Sequence, residues 1–254
     1  VDPLQCAAET AIAAGRLLRD RSAALEISEK SGRGDLVTAA DRESERFIVG
    51  RLRAAFPDAT ILGEEGGVRA GDARERWIVD PLDGTTNYAH GYPLYCVSIA
   101  YERDGEVVAG AVYAPVFDEV YAAERGGGAT CNGRSIAISR CGALREALVC
   151  TGFVPSKYER NMAHFARLSG LAQAVRRDGS AALDLCFVAR GVFDAFWELD
   201  LGAWDVAAGA LIVREAGGAV SACDGSQFGV EDGSILASNA AVHADMLTAL
   251  AETP

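Results

Sequence analysis

No run of lysine or arginine in this sequence is longer than a pair. A nucleic-acid binder needs a basic stripe, so that class is excluded. The formal net charge of −12 and pI of about 4.7 add repulsion from nucleic acid and anionic membranes. No apolar run reaches the length of a membrane span. There is no C-x-x-C pair. The seven cysteines are scattered, mostly among apolar neighbours (Cys96, Cys150, Cys186), and reduced, buried thiols in a cytoplasmic protein are the simplest account. Val1-Asp2-Pro3 carries no basic-then-apolar signal pattern, which fits the same expectation. Internal repeats and low-complexity linkers are also missing. What is left is a chain that is 50% hydrophobic and 254 residues long, enough for one large domain or two small ones sharing a core.

The stretch that organises the chain is Trp77-Ile78-Val79-Asp80-Pro81-Leu82-Asp83-Gly84-Thr85-Thr86-Asn87-Tyr88. Three apolar residues running into Asp80 predict a short buried strand, and Pro81 predicts its end. Asp83 follows across a tight turn that can point both carboxylates into one space. Gly84 allows close approach of a ligand, and the amides of Gly84, Thr85 and Thr86 read as an anion cradle at a helix start. Carboxylates repel a phosphate held in such a cradle, and divalent cations resolve the conflict. Hard oxygen ligands suit Mg²⁺. A lone D-x-x-D is more often a plain acidic turn; the whole string argues against that reading here. Phosphatases that form an aspartyl-phosphate carry two aspartates two apart, and the gap of three here favours an activated water.

In chain order, residues 4–20 read as an amphipathic helix and Leu25–Glu29 as a short strand. Lys30-Ser31-Gly32-Arg33-Gly34 is a basic loop that reads as a surface turn or as a cover over a phosphate. Residues 42–56 are helical up to Pro57, with Thr38 or Asp41 as N-cap; capping and catalysis explain Asp41 equally well. Thr60–Leu62 leads into Gly63-Glu64-Glu65-Gly66-Gly67, where one glutamate can turn inward as a ligand or both can sit in a solvated acidic turn. Residues 94–137 predict an antiparallel meander with Asp104-Gly105 and Asn132-Gly133 as hairpin turns and Ser135–Ile138 as its last strand. From about 145 strand and helix alternate. The strands are Ala147–Thr151, Ala174–Arg176, Phe193–Trp197, Ala219–Ala222 and Ile235–Ala237. The helices are 159–169, one capped by Ser180 and stopped by Gly191, Trp204–Ala216, and 240–250. A mixed first part followed by an α/β second part gives a layered α+β fold.

A second constellation lies in Trp204-Asp205-Val206-Ala207-Ala208-Gly209 through Glu215-Ala216-Gly217-Gly218. Its apolar helix is buried, with Asp205 in the first turn, where capping is the ordinary role for an Asp. Glu198 ends a strand in front of that helix and can point into the same cleft.

With both constellations in view, the sequence resembles the inositol monophosphatase family of Mg²⁺-dependent, Li⁺-sensitive phosphatases. The first signature matches from Asp80 to Tyr88 and the second from Trp204 to Gly218. Gly63-Glu64-Glu65 and Asp35-Leu36-Val37-Thr38-Ala39-Ala40-Asp41 fit in order and spacing. The resemblance covers essentially the whole chain. It implies a layered α-β-α-β-α sandwich of the sugar/inositol phosphatase type. Residues 1–140 would form an α+β part carrying the metal motifs, and 141–254 an α/β part completing the site.

It further implies that Glu64, Asp80 and the Leu82 carbonyl bind a first Mg²⁺. Asp80, Asp83 and Asp205 would bind a second, and Glu64 could share a weaker third. Thr85, helped by Asp41, would position the nucleophilic water, with Glu64 nearby. Gly84 and Thr85 amides would hold the phosphate. Gly179, Ser180, Ala181 and Glu198 would line the alcohol pocket beside Asp205, with Lys30 and Glu65 as loop contacts. The expected activity is hydrolysis of myo-inositol 1-phosphate by a cytoplasmic homodimer. Histidinol phosphate, fructose 1,6-bisphosphate and 3′-phosphoadenosine phosphates are the competing substrates. The last would need an aromatic or basic wall for its base, which the sequence does not offer. A protein-binding regulatory module keeping the fold is the alternative of another class.

Overall fold

The structure, a computed structural model, describes residues 1–20, 27–29, 36–154 and 157–252. Helix α1 is Pro3–Asp20, followed by the two-stranded β1 (Ile27–Glu29) and β2 (Leu36–Thr38), and by α2 (Ala39–Ala55). Next come β3 (Ala59–Gly63), β4 (Gly67–Arg69), β5 (Asp72–Asp83) and the short α3 (Thr85–Ala89). The meander is β6 (Cys96–Arg103), β7 (Glu106–Ala114), β8 (Glu119–Glu124), β9 (Gly128–Cys131) and β10 (Arg134–Ser135). The remaining elements are β11 (Leu148–Thr151), α4 (Glu159–Leu171), β12 (Ala174–Arg176), α5 (Ala181–Ala189), β13 (Ala195–Leu199), α6 (Ala203–Glu215), β14 (Ala219–Ser221), β15 (Ser234–Ser238) and α7 (His243–Ala251).

Two further sheets carry the fold. The eight-stranded one has the order β10-β9-β8-β7-β6-β5-β3-β4 and is antiparallel except where β3 runs parallel to β5. The five-stranded one, β12-β11-β13-β15-β14, is mixed. Side-chain alternation along the strands sorts residues between layers. Trp77 and Val79 of β5 join α1 and α2 in one core, while Ile78 faces the opposite way into a second core with α5 and α6. Phe196 of β13 closes that second core from the small sheet, and its neighbours Ala195 and Trp197 face Leu168 of α4 and Met246 of α7 on the outside. The result is an α-β-α-β-α sandwich. Helix α6 lies between two sheets, which explains why its body is apolar on every face.

Several expectations are corrected. Helix α2 begins at Ala39, ahead of Asp41, which therefore lies inside its first turn. The last meander strand is only Arg134–Ser135: the Ile136 amide still reaches the Ala129 carbonyl of β9, but the Ile138 amide turns to the Ala216 carbonyl at the end of α6. The strand before Glu198 starts two residues later than Phe193 and runs past it to Leu199. Both Asp-Gly and Asn-Gly turns do form, with Asp104, Gly105, Asn132 and Gly133 all at positive φ. No helix among the described residues is long and apolar enough to cross a membrane.

Candidate active site

The pairing of β5 with β6 explains how a D-x-x-D spacing converges. Asp80 faces Ser98 and Asp83 faces Cys96, so three steps on β5 answer two on β6. The extra residue is a bulge. Without it, odd-numbered Asp83 would point away from Asp80; with it, both face the central helical layer. The strand does not end at Pro81, contrary to the sequence expectation. It runs to Asp83, and Pro81 sits in the irregular step, where a missing ladder N–H costs nothing.

Asp205 reaches the same place from the first turn of α6. Ligand atoms of Asp80, Asp83 and Asp205 lie within 4.8 Å of one another. Asp205 does cap its helix, accepting the Gly202 amide at 2.7 Å, and joins the acid cluster as well. Two like charges about 4 Å apart repel by roughly 4 kcal/mol at an effective dielectric of 20. Burial, then Glu64, Asp83 and Asp205, push the Asp80 carboxyl well above its ordinary range. Burial, then Glu64 and Asp83, do the same to Asp205. Burial raises Asp83 too, opposed by hydrogen bonds to its Oδ2 from the Ser180 hydroxyl (2.7 Å) and the Ala182 amide (2.8 Å). Carboxylates that cannot all ionise together form a hard-oxygen donor set that fits a divalent cation.

Beyond Asp83 the chain turns through Gly84 at φ 90°, where a Cβ would lie 2.9 Å from the Leu94 carbonyl oxygen. Only glycine takes that turn without strain. Thr85 opens α3. Its hydroxyl faces two acceptors, Asp41 at 2.8 Å and the Leu82 carbonyl at 3.1 Å. Asp41, fully buried, thus meets Thr85 across 44 residues of sequence.

A cavity of about 290 Å³ opens on this cluster. Glu64, Asp83, Gly84, Thr85 and Asp205 line it together with Gly179, Ser180, Ala181 and Glu198. Asp41, Asp80 and Leu82 stand behind the wall, and all three are buried. Glu198 is 6% exposed; burial, then Asp205 and Asp83, raise its carboxyl well above the usual range, with Arg177 opposing. Ser180 precedes α5 as expected, but makes no capping bond: its hydroxyl is spent on Asp83. Glu65 lies elsewhere, lining a depression with Arg42, Arg46 and Arg69, and its amide binds Glu45. Lys30 lies outside the described residues.

Two residues near the cavity escaped the sequence reading. Asn87 donates to the carbonyls of Leu94 (2.6 Å) and Asp178 (2.8 Å), tying the first motif to the loop before Ser180. It stands in the quoted string, which was the available signal. Among the described residues that line the cavity, Arg177 is the cation; the Arg176-Arg177 pair at a strand end was its mark.

The sequence model described as the inositol monophosphatase family matches residues 2–253. An inositol-1-monophosphatase of Mesorhizobium japonicum is 45% identical over 230 residues, covering 89% of this chain and 86% of that protein. The Nus factor SuhB of Pseudomonas aeruginosa is 42% identical over 258 residues, covering 97% and 95%. The solved inositol monophosphatase of Anabaena (Nostoc) superimposes with a TM-score of 0.89 at 41% identity, covering 99% and 96%.

Proposed function

The chain belongs to the inositol monophosphatase family and is a phosphoric monoester hydrolase; from that premise we propose that it is Mg²⁺-dependent and hydrolyses myo-inositol 1-phosphate to inositol and phosphate. The observation that carries this reading is the convergence of Asp80, Asp83 and Asp205 within 4.8 Å beside a polar cavity. Glu64, Asp80 and the Leu82 carbonyl would hold one Mg²⁺, and Asp80, Asp83 and Asp205 a second, with a weaker third shared by Glu64. When bound, the ions supply a water of lowered pKa and charge stabilisation for the leaving alkoxide.

The chain's own groups do the rest. The Thr85 hydroxyl donates its hydrogen bond to Asp41, which leaves its oxygen lone pairs free to accept a hydrogen bond from the attacking water and orient it. The amides of Gly84 and Thr85 hold the phosphate oxygens. Glu198 accepts hydrogen bonds from substrate hydroxyls, and Gly179, Ser180 and Ala181 shape the wall beside it. In this reading residues 1–140 carry the metal motifs and 141–254 complete the pocket. The working form is a cytoplasmic homodimer, a state that light scattering measures.

Phosphate release from inositol 1-phosphate, fructose 1,6-bisphosphate, histidinol phosphate and 3′-phosphoadenosine 5′-phosphate, with Mg²⁺ and with EDTA, tests the proposal. Mg²⁺-dependent turnover best on inositol 1-phosphate is expected. A better rival keeps the mechanism and replaces the substrate, and turnover undiminished in EDTA contradicts the metal role. The relative named as a Nus factor favours a second reading, a binding role on the same fold. Partner capture that survives Asp83→Asn would support it.

A further inference from the structure

Helix α2 buries three polar residues on one face. Asp41, Ser44 and Glu45 fall at the i, i+3, i+4 positions that continue to Ile48 and Leu52. Three buried polar side chains on an otherwise apolar stripe are costly unless each is hydrogen-bonded. Each finds its partner in a segment that carries a candidate metal ligand. Asp41 accepts the Thr85 hydroxyl. The Ser44 hydroxyl donates to the Pro81 carbonyl at 2.8 Å, inside the bulge between Asp80 and Asp83. Glu45, 2% exposed, accepts the amides of Glu65 at 2.8 Å and Gly66 at 3.1 Å and the Arg69 guanidinium at 2.7 Å. Those two amides belong to the turn that begins with Glu64.

The glycines of that turn follow from Glu45. A Cβ on Gly63 would stand 2.6 Å from Glu45 Oε2, and one on Gly66 would meet the Arg69 guanidinium first and stand 2.5 Å from Glu45 Oε1. The Gly63–Gly66 turn therefore wraps the Glu45 carboxylate closely, with no room for a side chain at Gly63 unless that carboxylate moves. On the other flank, the Glu64 amide donates to the Val79 carbonyl of β5 at 3.2 Å.

We propose that Glu45 and Ser44 are positioning residues of the metal centre. Through them α2 holds the Glu64 turn and the Asp80–Asp83 segment in fixed register, so that ligands from two separate strands face one ion. The proposal rests on the reading of Glu64 as a metal ligand. Groups that orient metal ligands typically contribute 10–100-fold to metal affinity or activity. A carboxylate with two amides and a guanidinium is placed to do this for Glu64, although it touches neither metal nor substrate.

Calorimetric titration of the full chain with MgCl₂ alone, run beside the Mg²⁺ dependence of turnover, tests this. Glu45→Gln should weaken Mg²⁺ binding by about 10–100-fold, with turnover at saturating Mg²⁺ close to the parent's. Ser44→Ala should weaken it less. Arg69→Met removes the same ion pair but keeps both amide bonds. It should lower thermal stability while leaving Mg²⁺ affinity near the parent's, a split that a merely structural role for Glu45 would not produce. Gly63→Ala pushes on the same carboxylate and stands in if Glu45→Gln does not fold. Parental Mg²⁺ affinity in folded Glu45→Gln or Gly63→Ala, with affinity lost in Glu64→Gln, overturns the proposal and spares the metal reading. Parental affinity in Glu64→Gln overturns both.

Discussion

Two acid clusters in this molecule look alike and differ in surroundings. Asp80, Asp83 and Asp205 form one; Cys150, Asp178 and Asp184 form the other, with ligand atoms again within 4.8 Å. Burial is the largest cause raising Asp80, Asp83, Asp205 and Asp184. The first cluster adjoins Glu64, Gly84 and Thr85 at a 290 Å³ cavity. None of the second lines that cavity. Neither Asp184 oxygen takes a hydrogen bond of ordinary geometry, and the Cys150 thiol, a weak donor, is what faces it. Burial raises the Asp184 carboxyl well above its usual range, which favours the neutral acid there. What distinguishes the first cluster is access together with hard, oriented oxygen donors, not acid density.

The largest effect expected from this contrast is in turnover. Asp83→Asn should lower Mg²⁺-dependent kcat/KM by at least about 100-fold with the circular dichroism spectrum retained, beyond the range for outer partners. Asp184→Asn should stay within a few-fold of the parent. Equal losses in the two variants would break the comparison. Glu198→Gln comes next. A hydrogen bond to a charged group contributes about 1.5–3 kcal/mol, so KM for inositol 1-phosphate should rise by roughly 10-fold or more. A substrate without ring hydroxyls, p-nitrophenyl phosphate, should notice little, and steady-state kinetics on the two substrates measures the split.

The smallest effect is in stability against pH. These carboxyls are raised in the folded chain above their unfolded values, so the fold binds more protons than the unfolded state. Their contribution is fully present below the unfolded carboxylate range near pH 4 and is lost as pH rises through the raised values. Melting in EDTA should therefore fall from mildly acid to alkaline pH. Mg²⁺ should restore the alkaline value, and Asp184→Asn should flatten the metal-free slope. Melting that rises with pH in EDTA would contradict the assignment.

What the sequence made legible was local. The Asp80–Tyr88 string, the Asp104-Gly105 and Asn132-Gly133 turns and the apolar body of α6 depend on neighbours a few residues away, and each forms. The bulge after Asp80 was not legible, because a register shift is a property of two strands; Pro81 read alone predicts an end. Ser180 reads as a cap from its neighbours, yet its partner Asp83 lies 97 residues away. Ser44 and Glu45 resemble a solvated helix face until Pro81 and the Glu64 turn are folded against them. Lys30 and its loop lie outside the described residues.

Titration of the metal-free chain with Mg²⁺, comparing the parent with Asp83→Asn and Asp184→Asn, bears most directly on the claim that one acid cluster and not the other is the metal centre. The account predicts parental binding in Asp184→Asn and severe loss in Asp83→Asn. Parental binding in Asp83→Asn, or loss confined to Asp184→Asn, would contradict it.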